Sequence, residues 1–294
     1  MKKFGIDVSK WQGNFDFDKA KSEGVEFVIL RGAYSTGKDV KFEKYYRDCK
    51  LYDIPVGVYQ YSMAQSAEMA KKEAEFLYNN VLKGKQFDYP IYIDIEDKVQ
   101  LALSRNLLTE IAIAWGDYLE KKGYYVGIYA GKYTFRDNMD DSKLKRFTHW
   151  IPMWGTECTY EDKSVLGMWQ FGGETNKLRS NVVAGVVCDQ NYAYVDFPAI
   201  IREKKMNGYK YVTTTQTPVK TPVSVPQKLE YEIGDTIKLS DGAVYHNGKA
   251  VPNWIRKKTL YIRSVEMDGG FYCFSWLKKG EITGKVHKKY ISKA

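Results

Sequence analysis

The 294-residue chain is predicted to fold as an irregular α/β barrel followed by a small all-β barrel. Three observations predict it. Eight apolar, β-type runs fill the first two hundred residues, amphipathic helical segments separate the earlier runs, and short alternating runs crowd residues 229–294. Repeated strand–helix units favour a largely parallel sheet, and eight such strands favour closure into a barrel.

The runs are FGIDVS (4–9), EFVILRGAY (26–34), IPVGVYQYS (54–62), YPIYIDIE (89–96), YYVGIYAG (124–131), HWIPMW (149–154), LGMWQF (166–171) and VVCDQNYAY (186–194). In SAEMAKKEAEFLYNNVLKG, Ser66 is the expected helix N-cap and Gly84 the stop, with Ala67, Ala70, Ala74, Leu77 and Val81 on one face. LTEIAIAWGDYLEKKG repeats that period through Leu108, Ile111, Ala112, Trp115 and Leu119. The joins after the sixth and seventh runs are too short for a crossover helix. About five helices are therefore expected, outside the first five strands only. The whole is an eight-stranded barrel of the TIM-like kind, made irregular at its end.

NGYKYVTTTQTPVKTPVSVPQK has three prolines, many threonines and no helical period, which reads as an extended linker over 207–228. The expected organisation is a catalytic-sized domain over 1–206, this linker, and a domain over 229–294. In that last segment EIGDTIKLS, GAVYHNGKAV, TLYIRSVEM, GFYCFSWLK and TGKVHKKYI are split by Gly, Asp and Asn turns. Charge divides the same way. Residues 1–207 hold 30 Lys/Arg against 29 Asp/Glu, whereas residues 228–294 hold 13 against 7. The basic end suits an acidic polymer as partner.

No apolar run approaches the roughly 20 residues of a membrane span, so stable membrane insertion is not expected. The opening MKKFGIDVSK has two lysines, but Asp7, Ser9 and Lys10 interrupt any apolar stretch behind them. No Sec-type signal is expected. Cys49, Cys158, Cys188 and Cys273 form no short framework and are expected as free thiols. His149, His246 and His287 are too scattered to suggest a zinc motif or a Ser-His-Asp triad.

YPIYIDIED poses the chemical question, because a strand built for burial carries Asp94 and Glu96 as it ends. Residues two apart on a strand share a face, so these acids point one way and Ile91, Ile93 and Ile95 the other. Asp7 ends the first run and Asp189 stands in the eighth. Active sites of parallel barrels lie at the strands' C-terminal ends, so four acids are expected at one mouth. Tyr59 and Tyr61, Tyr129, Trp154, and Trp169 with Gln170 end other strands there. Tyr34 ends the second run, and Arg31 within it is a candidate partner for one of the acids. Flanking carboxylates break glycosidic bonds and aromatic rings stack on sugars. Tyr61, Tyr129, Trp154, Gln170, Tyr34 and Arg31 are thus the candidate substrate contacts. Asp97 and Lys98 read as turn residues.

DVSKWQG, YIDIED, GIYAG, GMWQF and CDQN, in this order over residues 3–200, resemble glycoside hydrolase family 25, the muramidases of phage endolysins and bacterial autolysins. The resemblance implies cleavage of the β-1,4 bond between N-acetylmuramic acid and N-acetylglucosamine in peptidoglycan. By matched position, Glu96 corresponds to the general acid and Asp94 to the group that meets the positively charged sugar or orients its N-acetyl group. Asp7 and Asp189 correspond to further acidic site residues. Cys188 stands where that family more often has Val.

The tail is similar, less specifically, to bacterial SH3-like wall-binding domains, with Tyr245, Trp254, Tyr261 and Trp276 as candidate contacts. The implied partners are the peptidoglycan of a Gram-positive wall and its anionic polymers, with no nucleic acid, cofactor or metal. Without a signal, synthesis in the host cytoplasm and release through a phage holin are expected; a bacterial autolysin is the alternative. Met206 in IREKKMNGYKY is a candidate internal start, giving a separate C-terminal fragment that associates with the full chain. Self-association through the C-terminal domain is the related expectation. The rival chemistry is a metal-dependent hydrolase holding Mg²⁺ or Ca²⁺ on Asp7, Asp94, Glu96 and Asp189; no histidine joins that group.

Overall fold

A computed structural model describes residues 2–209, 231, 233–245, 250–266, 271–278 and 282–294. The chain divides into two compact units, Met1–Thr213 and Thr214–Ala294.

In the first unit eight strands close into a barrel: β1 (Lys3–Val8), β2 (Phe27–Tyr34), β3 (Val56–Tyr61), β4 (Ile91–Asp94), β5 (Val126–Tyr129), β6 (Thr148–Pro152), β7 (Leu166–Gly172) and β8 (Asp189–Ala193). Each pairs with its sequence neighbours, and β1 pairs with both β2 and β8. Strands β1 to β7 run parallel. β8 runs antiparallel to both its neighbours. The eighth run is also shorter than expected, because Val186–Val187 turns back to pair with Val182–Val183 as a separate hairpin. The join between β7 and β8 is taken up by that hairpin, so β8 enters the sheet from the end at which β7 leaves it.

Four helices follow the first four strands: α1 (Phe17–Ser22), α2 (Phe42–Leu51), α3 (Ala67–Leu77) and α4 (Arg105–Glu120). Ser66 Oγ accepts from the Met69 amide and Ser104 caps α4 in the same way. α3 passes into a π-helical turn, Tyr78–Leu82, and Gly84 ends it at φ 80°. A fifth helix outside the β5–β6 join, expected from sequence, is not formed; a π-helical turn (Thr134–Asn138) and a 3₁₀ turn (Asp141–Lys143) take its place. A single-turn helix, Lys98–Leu101, precedes α4, and α5 (Phe197–Glu203) follows β8, capped by Asp196 with a proline in its first turn.

Strand alternation sorts side chains into two layers. Val56, Val58, Ile91, Ile93, Ile128 and Ile151 join the helices in one buried cluster. Phe27, Ile29, Tyr92, Tyr129, Trp150 and Met168 form the other, which fills the barrel. Gly127 makes room for it, since a Cβ there would strike the Tyr92 ring. Asn207 and Tyr209, expected in the linker, belong to this unit. Asn207 is fully buried, accepting from the Tyr125 amide and donating to Tyr89 O, and Tyr209 donates to Asp88. The rest of the expected linker, 210–228, lies outside the described residues.

Among the described residues, the second unit holds a five-stranded antiparallel sheet of Thr236–Leu239, Leu260–Glu266, Phe271–Ser275, Gly284–His287 and Ile291–Lys293. Its core is Ile237, Leu239, Leu260, Ile262, Phe274 and Val286.

Candidate active site

The parallel strands bring Asp7 and Asp94 to one end of the barrel, and β8, running the other way, enters from that end with Asp189 as its first residue. Asp7 and Asp189 are register partners across β1 and β8. Asp94 is the last residue of β4, in register with Tyr61 on β3 and Tyr129 on β5. Glu96 lies just past the strand and stays exposed, while Ile91, Ile93 and Ile95 are fully buried on the opposite face. The face expected for the two acids is the one they occupy. All four line a cleft of about 270 Å³, together with Trp11, Arg31, Tyr59, Tyr61, Tyr129, Trp150 and Gln170.

A polar network underlies the acids. Asp7 Oδ2 accepts from Gln170 Nε2 at 3.0 Å and Asn191 Nδ2 at 2.8 Å. Gln170 Oε1 in turn accepts from Tyr129 OH and Trp154 Nε1, each at 3.1 Å, and Asn191 Oδ1 from Trp150 Nε1 at 2.8 Å. Asp94 Oδ1, by contrast, is buried and has no hydrogen-bond partner.

Crowding and burial raise every carboxyl here. Burial pushes Asp7 up to about 6, although its two amide donors pull the other way. Burial first, then the charges of Asp7, Glu96 and Glu174, pushes Asp189 up to about 8. Asp94 lies well above the carboxylate range through burial, Glu96 and Asp7, with Arg31 opposing. Glu96 is raised by desolvation and then by Asp7 and Asp97. The mouth can therefore hold a proton on one carboxyl beside a negative charge on another near neutral pH.

Several expected contacts take other roles. Arg31 does pair with an acid, but with Asp39 at 2.8 Å, both buried. Asp39 also accepts from the Lys10 and Lys41 amides, tying β2 to the turn that follows β1. Trp169 faces away from the cleft, one residue out of phase with Gln170, and donates to Met153 O. Tyr34 stacks on Tyr61 beside the cleft, centroids 4.9 Å apart. Tyr61 donates to Asp97, whose other oxygen accepts from the Val99 amide, so that Asp97 and Lys98, expected in a turn, instead start the short helix Lys98–Leu101. Trp154 stands at the rim, 43% exposed. Gly173 is packed so closely that a Cβ would meet Asp189 Oδ1 and the Trp154 ring.

Sequence reasoning missed Trp11, 75% exposed at the cleft edge. A capping box sets it there: Ser9 Oγ accepts from the Trp11 amide and Gln12 Oε1 from the Ser9 amide. Asn191 and Trp150 were missed too, being buried residues two strands apart. Cys188 is buried, and Cys49, Cys158 and Cys188 form no disulfide.

In the second unit Trp254 and Trp276 are exposed and meet edge to face at 5.4 Å, with Lys258 Nζ 4.9 Å from the Trp276 ring. Tyr261 is half-buried. Tyr245 is half-buried against the small core, its ring stacked over Phe274.

A rim carboxyl with a raised pKa beside three buried or half-buried acids, flanked by rings, fits a glycosidase-type site on an α/β barrel. The model for glycosyl hydrolases family 25 matches residues 6–178, and the chain belongs to that family. An autolytic lysozyme of Clostridium acetobutylicum is 30% identical over 164 residues, 55% of this chain and 48% of the relative, so the chain matches about half that protein's length. Among solved structures, the CTP1L endolysin superposes with a TM-score of 0.57 at 20% identity, over 68% of this chain and 70% of that one. The autolysin LytC from Streptococcus pneumoniae, in complex with a synthetic peptidoglycan ligand, gives 0.58 at 22% identity, over 66% of this chain and 47% of that one. At these identities the structural likeness speaks for the fold.

Proposed function

We propose that the protein is a muramidase that hydrolyses the β-1,4 bond between N-acetylmuramic acid and N-acetylglucosamine in the peptidoglycan of a Gram-positive wall. The observation that carries this reading is the strand-end pair Asp94–Glu96, one acid buried and one at the rim of a four-acid cleft. Glu96 is reachable by substrate and its carboxyl is raised, so it delivers its proton to the leaving glycosidic oxygen as the C–O bond breaks. Asp94 Oδ1, unpaired within the protein, meets the positive charge developing on the sugar or orients its N-acetyl group. Water then completes the hydrolysis.

The wider reading is a phage endolysin. Its second unit is taken as an SH3-like wall-binding domain on the strength of its separate five-stranded sheet, the exposed Trp254–Trp276 pair and the excess of basic residues over 228–294. Release from the host cytoplasm through a holin belongs to the same reading. So does a C-terminal fragment begun at Met206, which associates with the full chain; the CTP1L endolysin is described as regulated by a secondary translation product.

The test is loss of turbidity of Gram-positive walls with mass spectrometry of the released fragments, for the wild type and Glu96→Gln. Soluble muropeptides ending in reducing N-acetylmuramic acid, absent with the variant, are expected. Walls that clear with intact glycan strands, or a fully active variant, would sink the reading.

A further inference from the structure

We propose that Gln170 and Asn191 are positioning residues that hold Asp7 as the ionised member of the acid cluster, their amides locked in orientation by the indoles of Trp154 and Trp150. The inference rests on the muramidase reading for its catalytic consequence, but not for its geometry.

Side-chain amides can present either end to a neighbour, so orientation needs a reference that only donates. An indole N–H is such a reference, since it cannot accept. Trp150 Nε1 lies 2.8 Å from one end of the Asn191 amide, and Trp154 Nε1 lies 3.1 Å from one end of Gln170. Those ends must be the oxygens. The opposite ends, 2.8 and 3.0 Å from Asp7 Oδ2, must then be NH₂ groups. One carboxylate oxygen therefore receives two N–H donors and has no room for a proton directed at either. Hydrogen bonds to the charged form favour that form.

The charged and titratable neighbours sharpen the consequence. Asp189 and Cys188 face Asp7 from β8 and the residue before it, Asp94 and Glu96 from the end of β4, Tyr59 from β3 and Tyr129 from β5. Arg31 on β2 is the nearby cation, and Asp39 already occupies it. Four crowded acids cannot all ionise, and the two amides select Asp7 as one that does. Its fixed negative charge then favours the proton on Glu96, where an acid catalyst needs it. Trp154 is exposed at the rim, so a sugar stacked on its ring would hold the same indole that orients Gln170. Gln170 thus acts through Asp7 and is not primarily a sugar contact; its oxygen is already occupied by Tyr129 and Trp154.

The test is carboxyl ¹³C NMR titration of the full chain labelled at aspartate Cγ, with Asp7→Asn assigning the resonance. Asn191→Leu and Gln170→Met remove a donor while keeping a side chain of comparable shape, and Trp150→Phe removes the orienting N–H together with part of the ring, so its fold is checked by calorimetry as well. In Asn191→Leu the Asp7 midpoint should rise by about one pH unit, and Trp150→Phe should move it the same way by less. The acid limb of the wall-hydrolysis pH profile, where Asp7 ionises, should move to higher pH in the same variants. A midpoint unchanged in both Asn191→Leu and Gln170→Met, with both folded by calorimetry, would overturn the proposal, as would activity lost equally at every pH. The NMR result stands whatever glycan the wild type cleaves. A wild type without muramidase activity would thus refute the function and leave the positioning role to be judged by the titration.

Discussion

Asp189→Asn should make the first unit more stable while impairing it as an enzyme. In the folded protein Asp189 is pushed up to about 8 from an ordinary 3.8, by burial first and then by Asp7, Glu96 and Glu174. Between those two values the unfolded chain has released the proton and the folded one retains it. Raising the pH through this window therefore favours unfolding, and the penalty levels off above pH 8. At pH 7 it amounts to about 4 kcal/mol for an isolated group. Asp7, Asp94 and Glu96 readjust when one neighbour loses its charge, so the variant should recover roughly half, about 2 kcal/mol, because coupled acids share their protons. For a unit of this size that raises its unfolding temperature by about 4–8 °C. Calorimetry of the full chain, following the first unit's transition at pH 4 and pH 8, reads both the gain and its sign. The gain should appear at pH 8 and vanish at pH 4. A variant less stable than the wild type at pH 8, or equally shifted at both, would refute the reasoning.

Arg31→Met should destabilise the first unit by about 3–5 kcal/mol, because it strands the buried Asp39 carboxylate. Adding Asp39→Asn, which removes the charge but keeps an acceptor for the Lys10 and Lys41 amides, should restore much of the loss, and urea unfolding of the wild type and both variants tests this; a single variant as stable as the wild type would refute the pair's structural role. Gly173→Ala should keep the fold but cut hydrolysis at least about tenfold, since the new methyl displaces the Asp189 carboxyl and the Trp154 ring. Rates unchanged in a folded protein would show that neither group needs its present position.

The local rule at YIDIE was sufficient from sequence. Period-two alternation puts three isoleucines against the helices and both acids on the side of the cleft, whatever the rest of the chain does. The helix caps at Ser66 and Ser104 are equally local. A one-residue phase error is the matching hazard: Trp169 and Gln170 are adjacent in sequence and face opposite sides of β7.

What sequence by itself determined is therefore most of the strands and the first four long helices, the apolar face of each, and the four acids that converge. Those are properties of neighbours along the chain. Tertiary structure alone decided how Asp189 arrives and what the acids touch. A reversed β8 delivers Asp189 at its first residue, opposite Asp7, where a parallel strand would present its C-terminal end. Arg31 finds Asp39 across a hairpin rather than a catalytic acid. The Trp150–Asn191–Asp7–Gln170–Trp154 network joins residues up to 184 positions apart. Hydrogen bonds of that kind leave no period or spacing in the chain, because closure of the barrel, not local conformation, brings donor and acceptor together.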